Sequence, residues 1–258
     1  MMLATLFDFP WEERRKLTYW SDLSTFTDYG APDALATDEF DKFEKLKDMA
    51  AYFGRLWDER KDQPPRFDLI SMLAHSPATQ EMDLKKFMGQ LTLLIVGGND
   101  TTRNSMSGGL WYLSQNPEEF AKVRADHGLV PKLVAETIRY QSPIIHMRRT
   151  ATRDADLAGR KIKAGDKVIM WYISGNRDEE VIEDADRFIV DRRKHRQHLS
   201  YGAGIHRCVG DRLADLQLQI LWEEILKRGL QIEVLDRPTR SVSNFIRGIK
   251  SMPVRIAA

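Results

Sequence analysis

The sequence predicts a mainly helical protein with a minor β part, an α+β fold, and three observations carry that expectation. Apolar residues recur every three or four positions through most of the first half and again after residue 208, the period of an amphipathic helix. Between Pro143 and Ile169 the pattern shifts to short strand-like runs around Gly159 and Gly165-Asp166, which reads as a small sheet with tight turns. No linker or repeat divides the 258 residues, 42% of them apolar, so a single domain over 1–258 is expected.

The elements follow in order. Trp11 to Trp20 and Phe40 to Trp57 set apolar faces against charged ones and predict helices. Pro64-Pro65 and Ser76-Pro77 mark loops, because proline fixes φ and biases its predecessor out of the helix. Asp83 is placed to cap the longest element, in which apolar or small residues recur at Phe87, Met88, Leu91, Leu94, Ile95, Gly98, Met106, Leu110 and Leu113. This central helix, about 83–115, would run on the order of 45 Å. Asn116, Pro117 and Glu119 read as N-cap, N1 and N3 of a capping box. The helix they open runs to about Asp126, and another spans roughly Pro131 to Tyr140. Leu157, Ile162, Val168 and Ile169 mark the small sheet, and Asn176 to Ser200 is polar and irregular. Helical spacing returns from Cys208 at Val209, Leu213, Leu216 and Ile220, ends near Gly229, and short strands close the chain.

Charge excludes one class of partner. Thirty-nine basic against 38 acidic side chains give a net +1, so nothing in the overall charge favours nucleic acid. Met1 to Pro10 lacks the basic start and cleavage pattern of a signal peptide, and the best apolar run, Leu91 to Val96, is far short of the roughly 20 residues a membrane span needs. One cysteine forms no intrachain disulfide and suits a reducing compartment. A cytoplasmic protein is expected.

That cysteine lies in the most informative segment, Tyr201-Gly202-Ala203-Gly204-Ile205-His206-Arg207-Cys208-Val209-Gly210. A thiol opening a helix beside His206 and Arg207 is expected to have its thiolate favoured by unpaired N–H groups and positive charge, ready for a metal. Gly202, Gly204 and Gly210 let the backbone fold against something flat. A second anomaly sits inside the long helix, where Gly97 and Gly98 together cost about 2 kcal/mol relative to alanine and demand a close approach or a function. Polar Asn99, Asp100, Thr101 and Thr102 follow them. The Thr101 hydroxyl is expected to bond the Gly97 carbonyl and open a local bulge. A rival reading takes His195, His198, His206 and Cys208, at irregular spacing, as a zinc set holding a structural protein together.

Residues 201–210 resemble the cysteine-ligand loop of the cytochrome P450 superfamily, Phe-Gly-x-Gly-x-His/Arg-x-Cys-x-Gly, with Tyr201 where the family has phenylalanine and a hydroxyl thereby added near the thiolate. The resemblance implies the cytochrome P450 fold and a haem b cofactor, iron protoporphyrin IX, with Cys208 as axial thiolate on its iron. His206 would meet a haem propionate, and Gly202 and Gly204 would lie against the haem face. Gly97-Gly98-Asn99-Asp100-Thr101-Thr102 is similar to the superfamily's oxygen-binding motif. It implies that Asp100 relays protons, that Thr101 holds the bound oxygen, and that Gly97 and Gly98 leave room at the cofactor. Glu136-Thr137-Ile138-Arg139 matches the Glu-x-x-Arg motif and Asp186-Arg187-Phe188 the later segment, implying that Glu136, Arg139 and Arg187 form a buried network supporting the cysteine loop. Arg149 matches the arginine that meets a haem propionate.

The apolar candidates for a substrate pocket are Leu94, then Ile144, Ile145 and Met147, and finally Phe245 and Ile246, which suit a hydrophobic small molecule. Residues 2–11 and 97–104 look like those of the bacterial terminal alkane hydroxylases of this superfamily. That resemblance implies a haem-thiolate monooxygenase hydroxylating the terminal methyl of a medium-chain alkane or fatty acid with O2. Its NAD(P)H electrons would arrive through a separate ferredoxin reductase and ferredoxin. The chain has no dinucleotide or flavin fingerprint, in keeping with an external electron source. Residues 192–198, Arg192-Arg193-Lys194-His195-Arg196-Gln197-His198, concentrate positive charge before the loop and are expected to dock an acidic donor. The resemblance spans essentially the whole chain yet corresponds to the C-terminal part of the family's fold, the N-terminal part missing. A folded, non-catalytic remnant without stable haem is therefore the alternative.

Overall fold

A computed structural model describes residues 2–25 and 27–257. The fold is mainly α with small β ladders, and Cα packing divides it into two compact units, Met1–Thr101 and Thr102–Ala258. The boundary falls inside the longest helix, which runs without interruption from Leu84 to Gln115.

The first unit contains α1 (Met2–Leu6), α2 (Arg15–Thr25), α3 (Glu39–Lys61), α4 (Leu69–His75) and the first half of α5 (Leu84–Gln115). Aspartates set three of the starts. Asp38 accepts from the Asp41 N–H at 2.8 Å, Asp68 from the Ser71 N–H at 2.9 Å and Asp83 from the Lys86 N–H at 2.8 Å, each satisfying a first-turn donor that the helix itself leaves unpaired. The core is aromatic: Phe7, Phe9, Trp20, Tyr52 and Phe53 are buried with ring centroids 4.9 to 6.2 Å apart. Arg60 enters this apolar region paired to Asp68 at 2.6 Å, and it also donates to the carbonyls of Phe7 at 2.7 Å and Asp8 at 2.8 Å. Its charge is buried but saturated.

The second unit begins with the rest of α5 and continues through α6 (Pro117–Ala125) and α7 (Val130–Gln141). The expected capping box at α6 does not form. Pro117 occupies N1, but the Asn116 amide turns back to the Tyr112 carbonyl at 2.8 Å. Glu119 is buried and accepts instead from the distant Val190 N–H at 2.8 Å, a tertiary contact that outcompetes the local one. Helix α7 is buried on nearly every side. It ends at Ser142, a left-handed residue at φ 44° whose hydroxyl donates to the Arg139 carbonyl at 2.8 Å.

The expected small sheet is two separate two-stranded antiparallel ladders, and the short strands expected to close the chain form two more. β1 (His146–Thr150) pairs with β4 (Lys167–Trp171), and β2 (Ala155–Leu157) with β3 (Arg160–Ile162). Near the end β5 (Gln231–Val234) pairs with β8 (Val254–Ala257), and β6 (Thr239–Arg240) with β7 (Ile249–Ser251). The single turn α8 (Tyr172–Gly175) follows β4, and α9 (Asp211–Lys227) follows the cysteine loop. Of the apolar positions along α9, Leu216 and Ile220 are half exposed, whereas Leu218, Trp222 and Ile225 enter the core. Both faces of this helix are apolar, so periodicity alone did not identify the inner one.

Candidate functional site

Helix α7 supplies the foundation of the site. Glu136 and Arg139, one turn apart, are 0% and 1% exposed and meet through two parallel bonds of 2.8 Å. The remaining Arg139 donors reach the carbonyls of Asn176 at 2.6 Å, Ala185 at 2.7 Å and Arg187 at 2.9 Å. Arg187 joins only through that carbonyl. Its side chain is exposed beside Asp184 at 3.4 Å, and the second guanidinium on Glu136 belongs to Arg192, whose Nε lies 3.1 Å from both carboxylate oxygens. Arg192 also donates to the carbonyls of Glu183, Asp184 and Arg187. It is consequently removed from the basic run expected to meet a partner; Arg193, Lys194 and Arg196 of that run remain exposed.

Asn176, which sequence reading passed over, carries the network to the cysteine loop. Fully buried, it donates to the hydroxyls of Ser142 and Ser200 at 2.8 Å each and accepts from the Leu199 N–H at 2.6 Å, while the Ser200 hydroxyl donates to the Ile138 carbonyl at 2.8 Å. Ser200 immediately precedes the loop. Nothing local in the sequence marks Asn176, because its partners lie 23 to 37 residues away.

Within the loop, the Cys208 N–H donates to the Tyr201 carbonyl at 2.8 Å and the Gly202 N–H to the Leu199 carbonyl at 2.8 Å. Gly202 and Gly204 are left-handed, at φ 67° and 70°, so the turn itself demands glycine there. Cys208 lies three residues before α9 and is exposed, flanked by Ile205 and Val209, each 97% exposed. His206 is exposed as well. The expected thiolate stabilisation is not what the surroundings supply. Partial burial pushes the Cys208 thiol up, and the Gly210 N–H only partly counters it. Arg207 favours the thiolate as expected, but Asp211, which holds its guanidinium at 2.5 Å, opposes it. The Tyr201 hydroxyl donates to Asp215 at 2.7 Å instead of serving the sulfur.

Gly97 to Thr101 of the mid-helix motif lie in the first unit. The Thr101 hydroxyl bonds the Gly97 carbonyl at 2.7 Å, and the helix continues through this bond without the expected bulge. A Cβ at Gly97 would meet nothing within 4 Å, whereas one at Gly98 would stand 2.7 Å from a Leu3 methyl, so the close approach at Gly98 is made by the protein itself. Asp100 is 2% exposed, with the Thr25 hydroxyl at 3.1 Å and the Asn99 amide at 3.2 Å. Thr25, at the end of α2 and 75 residues away, left no signal in the local sequence. Leu94 packs against the core of this unit.

Four of the other apolar candidates meet in pairs in the second unit. Ile144 bridges Ile246, and the Ile145 N–H donates to the Phe245 carbonyl at 2.9 Å. Met147 and Arg149 share one face of β1, opposite Met170 and Val168. On the other face His146 meets the Trp171 ring at 4.9 Å and Phe245 at 6.2 Å, two aromatic neighbours that sequence reading did not associate with it. The Arg149 guanidinium donates to the neighbouring Arg148 carbonyl at 3.0 Å and meets no carboxylate among the described residues. Surface depressions lined by Glu59, Arg60 and Gln63 to Arg66, and by Arg193 to Gln197, contain none of the apolar candidates.

The zinc reading fails on geometry. Among the described residues no three His, Cys, Asp or Glu side chains converge into a metal cluster, and His198 lies against the Tyr201 ring at 5.4 Å. Burial pulls the His198 pKa down to about 4. No helix among the described residues is long and apolar enough to cross a membrane.

Comparison with known proteins gives concordant matches. The family model described as Cytochrome P450 matches residues 37–235. The chain is 39% identical over 244 residues to linalool 8-monooxygenase of Pseudomonas putida, covering 91% of this chain and 58% of that protein. It is 35% identical over 257 residues to methyl-branched lipid omega-hydroxylase of Mycobacterium tuberculosis, covering 98% of this chain and 59% of that protein. Among solved structures, cytochrome P450-153 from Novosphingobium aromaticivorans superposes with a TM-score of 0.88 at 49% identity, over 99% of this chain and 62% of that one. The chain thus spans about three-fifths of the length of these relatives.

Proposed function

The chain belongs to the cytochrome P450 family, and from that premise we propose that it is the thiolate-bearing portion of a haem monooxygenase acting as a single domain. Its substrate is hydrophobic, the terminal methyl of a medium-chain alkane or fatty acid, hydroxylated with O2 and NAD(P)H electrons delivered through ferredoxin reductase and ferredoxin. A cytoplasmic location accompanies this reading. The observation that carries it is the cysteine loop: an exposed thiol held by hydrogen bonds between two bare apolar side chains, Ile205 and Val209. That donor set fits haem, since one soft ligand is offered to iron while apolar neighbours lie ready to cover a flat macrocycle.

When bound, haem b supplies the oxygen-activating and hydroxylating chemistry. Cys208 would hold the iron through Sγ, with the backbone around it fixed by Tyr201 and by the Glu136–Arg139–Asn176 network. Arg149 and His206 would meet the propionates; Arg149 has no carboxylate of its own among the described residues, which leaves its charge available. Thr101 would orient oxygen and Asp100 would pass a proton, and Gly97 leaves the neighbouring backbone uncovered. Ile144, Ile145, Met147, Phe245 and Ile246 would exclude water from an oily chain. The omega-hydroxylase among the relatives supports the terminal position. The exposed charges of Arg193, Lys194 and Arg196 suit an acidic electron donor.

The test is the carbon monoxide difference spectrum of the dithionite-reduced protein supplied with haem. A strongly red-shifted Soret band that disappears in Cys208→Ala is expected; a folded protein without that band overturns the assignment of Cys208. Reduction by an acidic ferredoxin should slow and lose its salt dependence when Arg193, Lys194 and Arg196 become glutamate, and unchanged kinetics would remove that face from the proposal.

A further inference from the structure

Two carboxylates of α9 hold the cysteine loop at two points, Tyr201 and Arg207. Asp211 and Asp215 are four residues apart and therefore share one face of the first two turns. Asp211 accepts from Arg207 Nε at 3.0 Å and Nη2 at 2.5 Å, and Asp215 accepts from the Tyr201 hydroxyl at 2.7 Å. Between these contacts the Cys208 N–H donates to the Tyr201 carbonyl. Tyr201 thus holds the thiol-bearing residue with its backbone and the following helix with its side chain.

The two contacts differ in strength. The Arg207–Asp211 pair joins an exposed guanidinium to the helix start, where solvent screens it. Tyr201 and Asp215 are both partly buried, so removing the hydroxyl leaves a carboxylate without its donor in poorly hydrated surroundings. Phenylalanine at position 201 would keep the ring and lose this link.

We propose that Tyr201 is a positioning residue whose bond to Asp215 presets the cysteine loop in its ligand-binding shape before haem arrives. The inference rests on the haem reading for the identity of the ligand, whereas the tether itself is a property of the cofactor-free chain. A preset loop has less conformational freedom to lose on binding, so the tether should appear both in loop protection and in haem affinity.

Hydrogen exchange of the Cys208 amide in the cofactor-free protein tests the tether. Tyr201→Phe and Asp215→Leu should exchange about tenfold faster than the parent, Asp215→Asn, which keeps an acceptor, should stay close to it, and Arg207→Ala should change less than about threefold. Parental exchange in a Tyr201→Phe protein of unchanged helix content overturns the proposal, as does equal acceleration in Asp215→Asn and Asp215→Leu. Should Tyr201→Phe lose its helices, the two Asp215 variants decide. Haemin titration separates the layers: Tyr201→Phe should weaken affinity about tenfold while keeping the thiolate spectrum, and parental affinity overturns presetting. If the parent itself gives no thiolate spectrum, the haem reading fails and the exchange rates still judge the tether.

Discussion

The foundation around Arg139 and the loop around Cys208 are linked through Asn176 and Ser200, yet they solve opposite problems. In the foundation two guanidiniums and one carboxylate are sequestered, and backbone carbonyls take up donors that the carboxylate leaves over. In the loop a thiol and two large apolar side chains are presented outward, and backbone bonds hold their support. Rigidity and exposure are thus separated in this molecule: costly buried charge organises a segment whose own outer surface contributes little to its stability.

The strongest way to break that contrast is at Glu136. Glu136→Leu leaves Arg139 and Arg192 buried without their counter-charge and should cost about 3–5 kcal/mol in urea unfolding; a loss below about 1 kcal/mol would show that the network is not structural. Arg192→Ala should cost roughly 2–4 kcal/mol, while Arg187→Ala should stay within about 0.5 kcal/mol, and the reverse order would restore Arg187 as the third member. His198 sits where the two regions meet. Its pKa of about 4 lies below the unfolded value of 6.5, so the unfolded chain binds more protons between those values and stability should fall as pH drops from 6.5 toward 4. The loss should be on the order of 2–3 kcal/mol and should flatten in His198→Gln, as read from unfolding midpoints across that range. The smallest effect is expected at the exposed thiol: Cys208→Ala should move cofactor-free stability by less than about 0.5 kcal/mol while removing the thiolate spectrum from the haem-loaded protein.

Much of this organisation was legible in sequence because its signals are local. The long helix announced itself through a cap at Asp83 and apolar spacing, the loop through three glycines around one thiol, and the Thr101-to-Gly97 bond through a separation of four. What escaped depends on distant partners. Arg192 and Arg187 are five residues apart in the same polar stretch, and only the path of the chain decides which side chain turns toward Glu136. Asn176 and Thr25 were invisible for the same reason. The capping box failed because Val190 offered Glu119 a better-buried donor. The inner face of α9 is not marked in the sequence because both faces are oily, and nothing in a periodic pattern says which will be covered.

Ser142 shows how tightly such a design constrains later change. Its left-handed backbone would be relieved by glycine, but its hydroxyl caps the Arg139 carbonyl and receives the Asn176 amide. A β-branched threonine would retain the hydroxyl and aggravate the backbone. One requirement is conformational and the other chemical, and the substitution that best answers either worsens the other. Serine is therefore held between the two, and glycine should ease the backbone while depriving the Arg139 carbonyl of its donor and the Asn176 amide of one acceptor.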